Sequence, residues 1–161
     1  MNKTNHEYYV SLEVAKLLKE AGFDWECETC YMGKSKRAYK YNKYFNWNLP
    51  RKDFEIEGSD NLFHSFINQK KTNNFVSAPT LDVAQRWLRE VKHLDISIHY
   101  DPTIKSQPYV YFIYDVEEKF NDILGIISPI THSYSDGYFY KYEEAQEEGI
   151  KKALEIINTG E

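Results

Sequence analysis

The chain has 161 residues, enough for one domain with a sizeable core, and carries two cysteines, 16% aromatic residues and a formal net charge of −5. Two cysteines make no disulfide framework, no apolar run reaches membrane-spanning length, and the charged first turns lack the apolar core of a secretory signal, so a single-domain, reduced, cytoplasmic protein without membrane association is expected. Seven of the 20 basic residues (Lys34, Lys36, Arg37, Lys40, Lys43, Arg51 and Lys52) fall within 34–52, which holds no acid, so the rest sets 13 bases against 25 acids and excludes a general nucleic-acid binder.

Ser11 reads as a helix N-cap, with Glu13 in the first turn and Val14, Leu17, Leu18 and Ala21 at helical spacing. Gly22 stands where a left-handed residue ends a helix, and Phe23 can fold back on the last turn. Residues 24–32 and 36–47 read as the two strands of a hairpin around 33–35. A three-residue loop pairs Met32 with Lys36, Glu28 with Lys40, Cys27 with Tyr41 and Thr29 with Tyr39. One face then carries Trp25, Cys27, Thr29, Tyr31, Tyr39 and Tyr41, and the other sets Glu26 and Glu28 near Lys40 and Asn42. Alternation breaks at 43–45, which predicts a bulge. Residues 49–76 are rich in apolar side chains but follow no period, so short strands or a helical turn under a long loop are expected there.

Thr80, after Pro79, caps a second helix whose inward stripe is Leu81, Ala84, Leu88 and Val91, with Trp87 beside it. Asp82 with Arg86, and Arg86 with Glu90, are spaced as outer-face pairs. In 95–101, Ile96, Ile98 and Tyr100 alternate with Ser97 and His99, the pattern of a half-buried strand, whereas 109–116 is apolar on both faces, as in a central strand. Residues 123–127 can add a strand, and Asp136-Gly137 marks a turn before 138–140. A third helix spans 142–157, with Tyr142, Ala145, Gly149, Ile150, Ala153, Leu154 and Ile157 inward. Glu143, Glu144, Glu147 and Glu148 precede Lys151 and Lys152, giving two Glu-to-Lys pairs four residues apart. The order predicts an α+β fold: a mostly antiparallel sheet of hairpins with helices on one face.

Ser77-Ala78-Pro79-Thr80-Leu81-Asp82-Val83-Ala84-Gln85-Arg86-Trp87-Leu88-Arg89-Glu90, with the strand Ile96-Ser97-Ile98 after it, Tyr142-Glu143-Glu144-Ala145, and the Ser11 helix ending in Ala21-Gly22-Phe23 together resemble small uncharacterised proteins encoded by phages and integrated elements of gut anaerobes. In that group an "APT…A..WLRE" pattern leads into a short strand pair, and "YEEA" opens the last helix. The resemblance covers about half the chain and matches nothing between Met32 and Val76. It implies an accessory protein of a mobile element and carries over no catalytic residue.

Cys27 and Cys30 are weak metal candidates. A zinc knuckle needs a second ligand pair, and His6, His64, His93, His99 and His132 show no paired spacing. Residues three apart in a strand point to opposite faces, and Glu26 and Glu28 disfavour a thiolate, so Cys27 is expected inward, Cys30 outward, and no metal or cofactor bound. The basic aromatic strand offers Lys36, Arg37, Tyr39, Lys40, Tyr41, Lys43 and Trp47, with Tyr44 and Phe45, and rings among cations can hold single-stranded nucleic acid. The favoured reading has those rings in the core and the lysines keeping an edge soluble. The histidines fall in no catalytic motif, so an enzyme or small-ligand pocket among the aromatics, with His64 or His99, is the least favoured alternative. The acidic run on the last helix is a solvated face that could also meet a basic host surface or mimic a phosphate backbone. The leading expectation is a non-enzymatic protein-interaction module that binds a host or phage protein.

Overall fold

In the computed structural model the described residues are 8–32, 37–49, 75–116, 131–132 and 137–160, with the backbone alone at 41–43 and 131–132. Helix α1 (Leu12–Glu20) leads to strands β1 (Cys27–Met32), β2 (Tyr39–Phe45) and β3 (Phe75–Ser77). Helix α2 (Leu81–Val91), strands β4 (Leu94–Tyr100), β5 (Tyr109–Asp115) and β6 (Thr131–His132), and helix α3 (Tyr142–Thr159) follow. The strands form two antiparallel sheets, ordered β2-β1-β3 and β4-β5-β6. α1 packs on β3, α2 and α3 pack on β4, α3 also packs on β5, and both α1 and α2 lean on α3. This is the expected α+β class with antiparallel pairing, and β5 is the central strand of its sheet as its two apolar faces predict. Among the described residues no helix is long and apolar enough to cross a membrane.

Local chemistry sets the helix ends. The Ser11 hydroxyl accepts from the Val14 N–H at 3.4 Å and the Thr80 hydroxyl from Val83 at 3.3 Å, each satisfying an orphan donor of the first turn. At the end of α1, the Gly22 N–H donates to Lys19 and the Phe23 N–H to Leu18, with Gly22 at φ 87°. This double closure needs a left-handed residue, which glycine supplies without strain. Phe23 folds back into the core, edge-on to Trp87 at 5.3 Å. The main core joins Val14, Leu18 and Phe23 to Leu81, Trp87 and Leu88, to Ile96, Tyr111 and Ile113, and to Ile150 and Leu154.

α3 lies against β4 and β5 with a glycine at the closest approach. A Cβ on Gly149 would stand 2.8 Å from Ile96 Cγ2 and 3.2 Å from Tyr111 Cγ. The Ile96 methyl hangs from a β-branched carbon and cannot swing away. Gly149→Ala should therefore destabilise by about 1–3 kcal/mol, despite the roughly 1 kcal/mol that alanine gains in helix propensity. A urea titration checks this, and a stabilised variant would show that α3 stands further from the sheet.

Several expectations are corrected. The β1–β2 register is Cys30 with Tyr39 and Thr29 with Lys40, one residue from the expected pairing, and Cys27 then faces Phe45 across an irregularity in β2. The irregularity falls near the expected bulge. The slip arises because β1 is buried on both faces, so alternation does not pin its register. Val91 is exposed because α2 ends there and turns through His93 at φ 59°. Lys151 pairs with Glu13 at 2.9 Å, which α1 brings within reach, and Lys152 pairs with Glu155 three residues on at 3.3 Å, rather than with the glutamates one turn earlier. Arg86 does meet Glu90, at 3.9 Å, but Asp82 accepts from Gln146 instead of pairing with Arg86. The expectations for 50–74, for a strand at 123–127 and for Asp136 lie outside the described residues.

Candidate functional site

Both cysteines are buried free thiols, and they share a small second core with Met32, Trp47 and Phe75. Cys30 is therefore not outward, as expected from strand geometry, because the second face of β1 is itself packed. The Cys27 thiol donates to the Thr29 carbonyl at 3.2 Å. Burial pushes Cys27 up, and it pushes Cys30 from 9.0 to about 12, with Cys27 adding to the effect. Among the described residues no group of three or more His, Cys, Asp or Glu side chains is arranged to hold a metal ion. Between pH 9.0 and about 12 the unfolded chain has lost the Cys30 proton that the folded chain retains. Unfolding then releases a proton, so the Cys30 contribution to stability is full below that window and is lost as pH rises through it. The alkaline slope should flatten in Cys30→Ala. Iodoacetamide at pH 8 should label both thiols only after denaturation, and rapid native labelling would contradict their burial.

The basic aromatic strand divides. Trp47 is 1% exposed, its indole N–H donates to the Cys27 carbonyl at 2.8 Å, and Phe45 meets it edge-on at 5.1 Å. It is a core residue and is withdrawn from any stacking surface. The next residue completes a clamp: Asn48 donates to the Phe23 carbonyl at 2.8 Å and accepts from the Ser77 N–H at 3.1 Å. Lys40 ion-pairs with Glu28 at 3.0 Å, and the Tyr44 hydroxyl donates to the same carboxylate at 2.6 Å. Arg37 and Tyr39 are exposed. Lys36 and the side chains of Tyr41 and Lys43 lie outside the described residues, as do His6 and His64.

Ser97 Oγ and His99 Nε2 are 3.0 Å apart, and the His99 ring stands edge-on to Phe112 at 4.9 Å. A nucleophile and its base need that contact. Here it lies on an exposed strand, and Asp95 pairs with Arg89 at 3.7 Å instead of orienting the imidazole. His93 occupies the exposed turn after α2, and only the backbone of His132 is described, opposite Phe112. The acidic run on α3 is partly committed to structure: Glu147 accepts from the Ser11 N–H at 2.8 Å, and Glu144 pairs with Lys141 at 3.6 Å.

A different group stands out. Tyr100 ends β4, Tyr109 opens β5 directly opposite it, and Tyr142 opens α3. Their rings form a row of edge-on contacts, 5.5 Å from Tyr100 to Tyr109 and 6.2 Å from Tyr109 to Tyr142. Phe139 bridges to the Tyr109 backbone and steers the chain into α3, and its ring lies 6.1 Å from Tyr111. Tyr100 is 62% exposed, Tyr140 63% and Tyr142 43%. The alternation of β4 and the spacing of α3 had placed Tyr100 and Tyr142 inward. They are the outermost members of those stripes, and Asp101-Pro102 directly after Tyr100 is the sequence sign that the strand ends there. Partial burial raises the Tyr142 phenol, and Asp82 and Glu143 add to the rise.

The third helix holds this surface in place through a buried amide. Gln146 donates to Asp82 at 2.9 Å and to Gln85 at 2.7 Å, and Gln85 donates to the Ile96 carbonyl. One side chain thereby ties α3 to α2 and β4 one turn beyond Tyr142. Compared with protein-family models, with curated proteins and with solved structures, the chain matches none.

Proposed function

We propose that the chain is a non-enzymatic protein-interaction module, an accessory protein of a phage or integrated mobile element that acts in the cytoplasm by binding a host or phage protein. The observation that carries this reading is the row of tyrosines at the start of α3, with Tyr100, Tyr140 and Tyr142 exposed. Tyrosine gives a large, stiff contact area with a polar tip, and it is enriched in the centres of protein interfaces. The genomic setting rests on the sequence resemblance alone. Capture from a lysate of cells that carry the gene, after nuclease treatment, tests the reading when wild type is compared with the Tyr100→Ala, Tyr142→Ala double variant. Capture of a stoichiometric protein should fall about tenfold or more in the variant, with little change in melting temperature. Equal capture by both proteins would remove the tyrosine row from the interface. Capture that disappears with nuclease would return attention to Arg37 and Lys40 on the basic strand.

A further inference from the structure

Carboxylates border the tyrosine row. Gln146 stands one turn along α3 from Tyr142 and donates to Asp82, which sets that carboxylate beside the first turn of α3, and Glu143 follows Tyr142 in the chain. Asp101 follows Tyr100, and its exposed carboxylate is held by the Thr103 N–H at 2.9 Å and hydroxyl at 2.6 Å. On the α1 side of the same stretch of α3, a groove of about 440 Å³ is lined by Glu13, Glu144, Glu147 and Glu148, with Phe139 and Lys151. Lys141 pairs with Glu144, Lys151 pairs with Glu13, and Lys105 stands exposed in the loop between Tyr100 and Tyr109, so the seven carboxylates named here (Glu13, Asp82, Asp101, Glu143, Glu144, Glu147 and Glu148) outnumber three lysines.

Charge therefore selects the occupant. An anionic partner would meet like charge on both sides of α3. An uncharged partner would cover Asp82, Asp101 and Glu143 without giving them a counter-ion, which is unfavourable. A cation over Tyr100 or Tyr142 gains the electron-rich ring face and a neighbouring carboxylate together. On the basis of the interaction reading above, we propose that this surface takes a Lys/Arg-rich segment of the partner protein, its cations stacked on Tyr100 and Tyr142 and paired with Asp82 and Glu143.

The test titrates a fluorescein-labelled oligo-arginine peptide, and a Gly/Ser peptide of equal length, into the intact protein and follows anisotropy. The arginine peptide should bind and the Gly/Ser peptide should not, and affinity should fall as salt rises from about 50 to about 200 mM. Tyr100→Leu keeps apolar area without the ring, and Glu143→Gln removes one carboxylate; each should weaken binding about tenfold. Glu155→Gln, near the far end of α3, should leave it unchanged. Equal affinity in all three variants would mean attraction by net charge alone and would overturn the proposal. So would a protein captured through Tyr100 and Tyr142 that excess arginine peptide fails to displace, although the interaction reading would then stand. A dimer in sedimentation that Tyr100→Leu dissolves would identify the occupant as a second copy and also overturn it. If neither capture nor peptide binding depends on the row, both readings fall.

Discussion

Trp47→Ala should destabilise the protein by about 3–5 kcal/mol, a large share of the stability of an ordinary domain. The ring is buried between Phe45 at 5.1 Å and Phe75 at 6.0 Å, and it is the largest member of the second core. Truncation leaves a cavity bordered by Cys27, Cys30 and Met32, which belong to a short strand and cannot close over it. It also strands the Cys27 carbonyl, which loses the indole N–H at 2.8 Å. Trp47→Phe, which keeps a ring but not the donor, should cost about 1–2 kcal/mol. Urea denaturation followed by circular dichroism reads both. Were Trp47 instead a displayed stacking ring, the alanine variant would fall within about 0.5 kcal/mol of wild type.

Trp87→Ala should cost a similar 3–5 kcal/mol and lower the melting temperature by roughly 10 °C or more. Trp87 is fully buried at the meeting of α2 with the turn that ends α1. Its ring meets Phe23 edge-on at 5.3 Å, its N–H reaches Asp24 at 3.3 Å, and the Lys92 ammonium lies 5.3 Å above it. Losing it loosens Phe23 as well, so α1 should lose its seat on the core. Hydrogen exchange should show early opening of α1 in the variant, and unchanged protection there would contradict this coupling.

The elements that were legible in the chain are those specified by local chemistry. Ser11, Thr80 and the Gly22-Phe23 pair announce helix ends because each cap is made by residues within one turn. β5 was legible because its sequence is apolar on both faces, as suits the middle strand of a sheet, although only Val110, Tyr111 and Ile113 of it are buried. Register in β1 was not: Cys27, Cys30, Tyr31 and Met32 are all buried, so no polar face remains to fix the pairing. Gln146 stands four residues from both Tyr142 and Ile150 on the inward stripe, but as a polar residue it is invisible to a hydrophobic period. The tyrosine row was hidden more deeply. Whether Tyr100 and Tyr142 end up inside depends on how the end of β4 and the start of α3 meet beside Tyr109, a long-range property that no periodicity encodes.

The most direct test of the tyrosine surface puts photoreactive p-benzoylphenylalanine at Tyr140, where one exposed aromatic ring replaces another, and separately at Glu20 on the far end of α1. After irradiation in cells that carry the gene, position 140 should give one protein adduct that resists nuclease and disappears when Tyr100 is also changed to Leu. An adduct from position 20 with none from 140, or one from 140 indifferent to Tyr100→Leu, would contradict a binding surface at the start of α3.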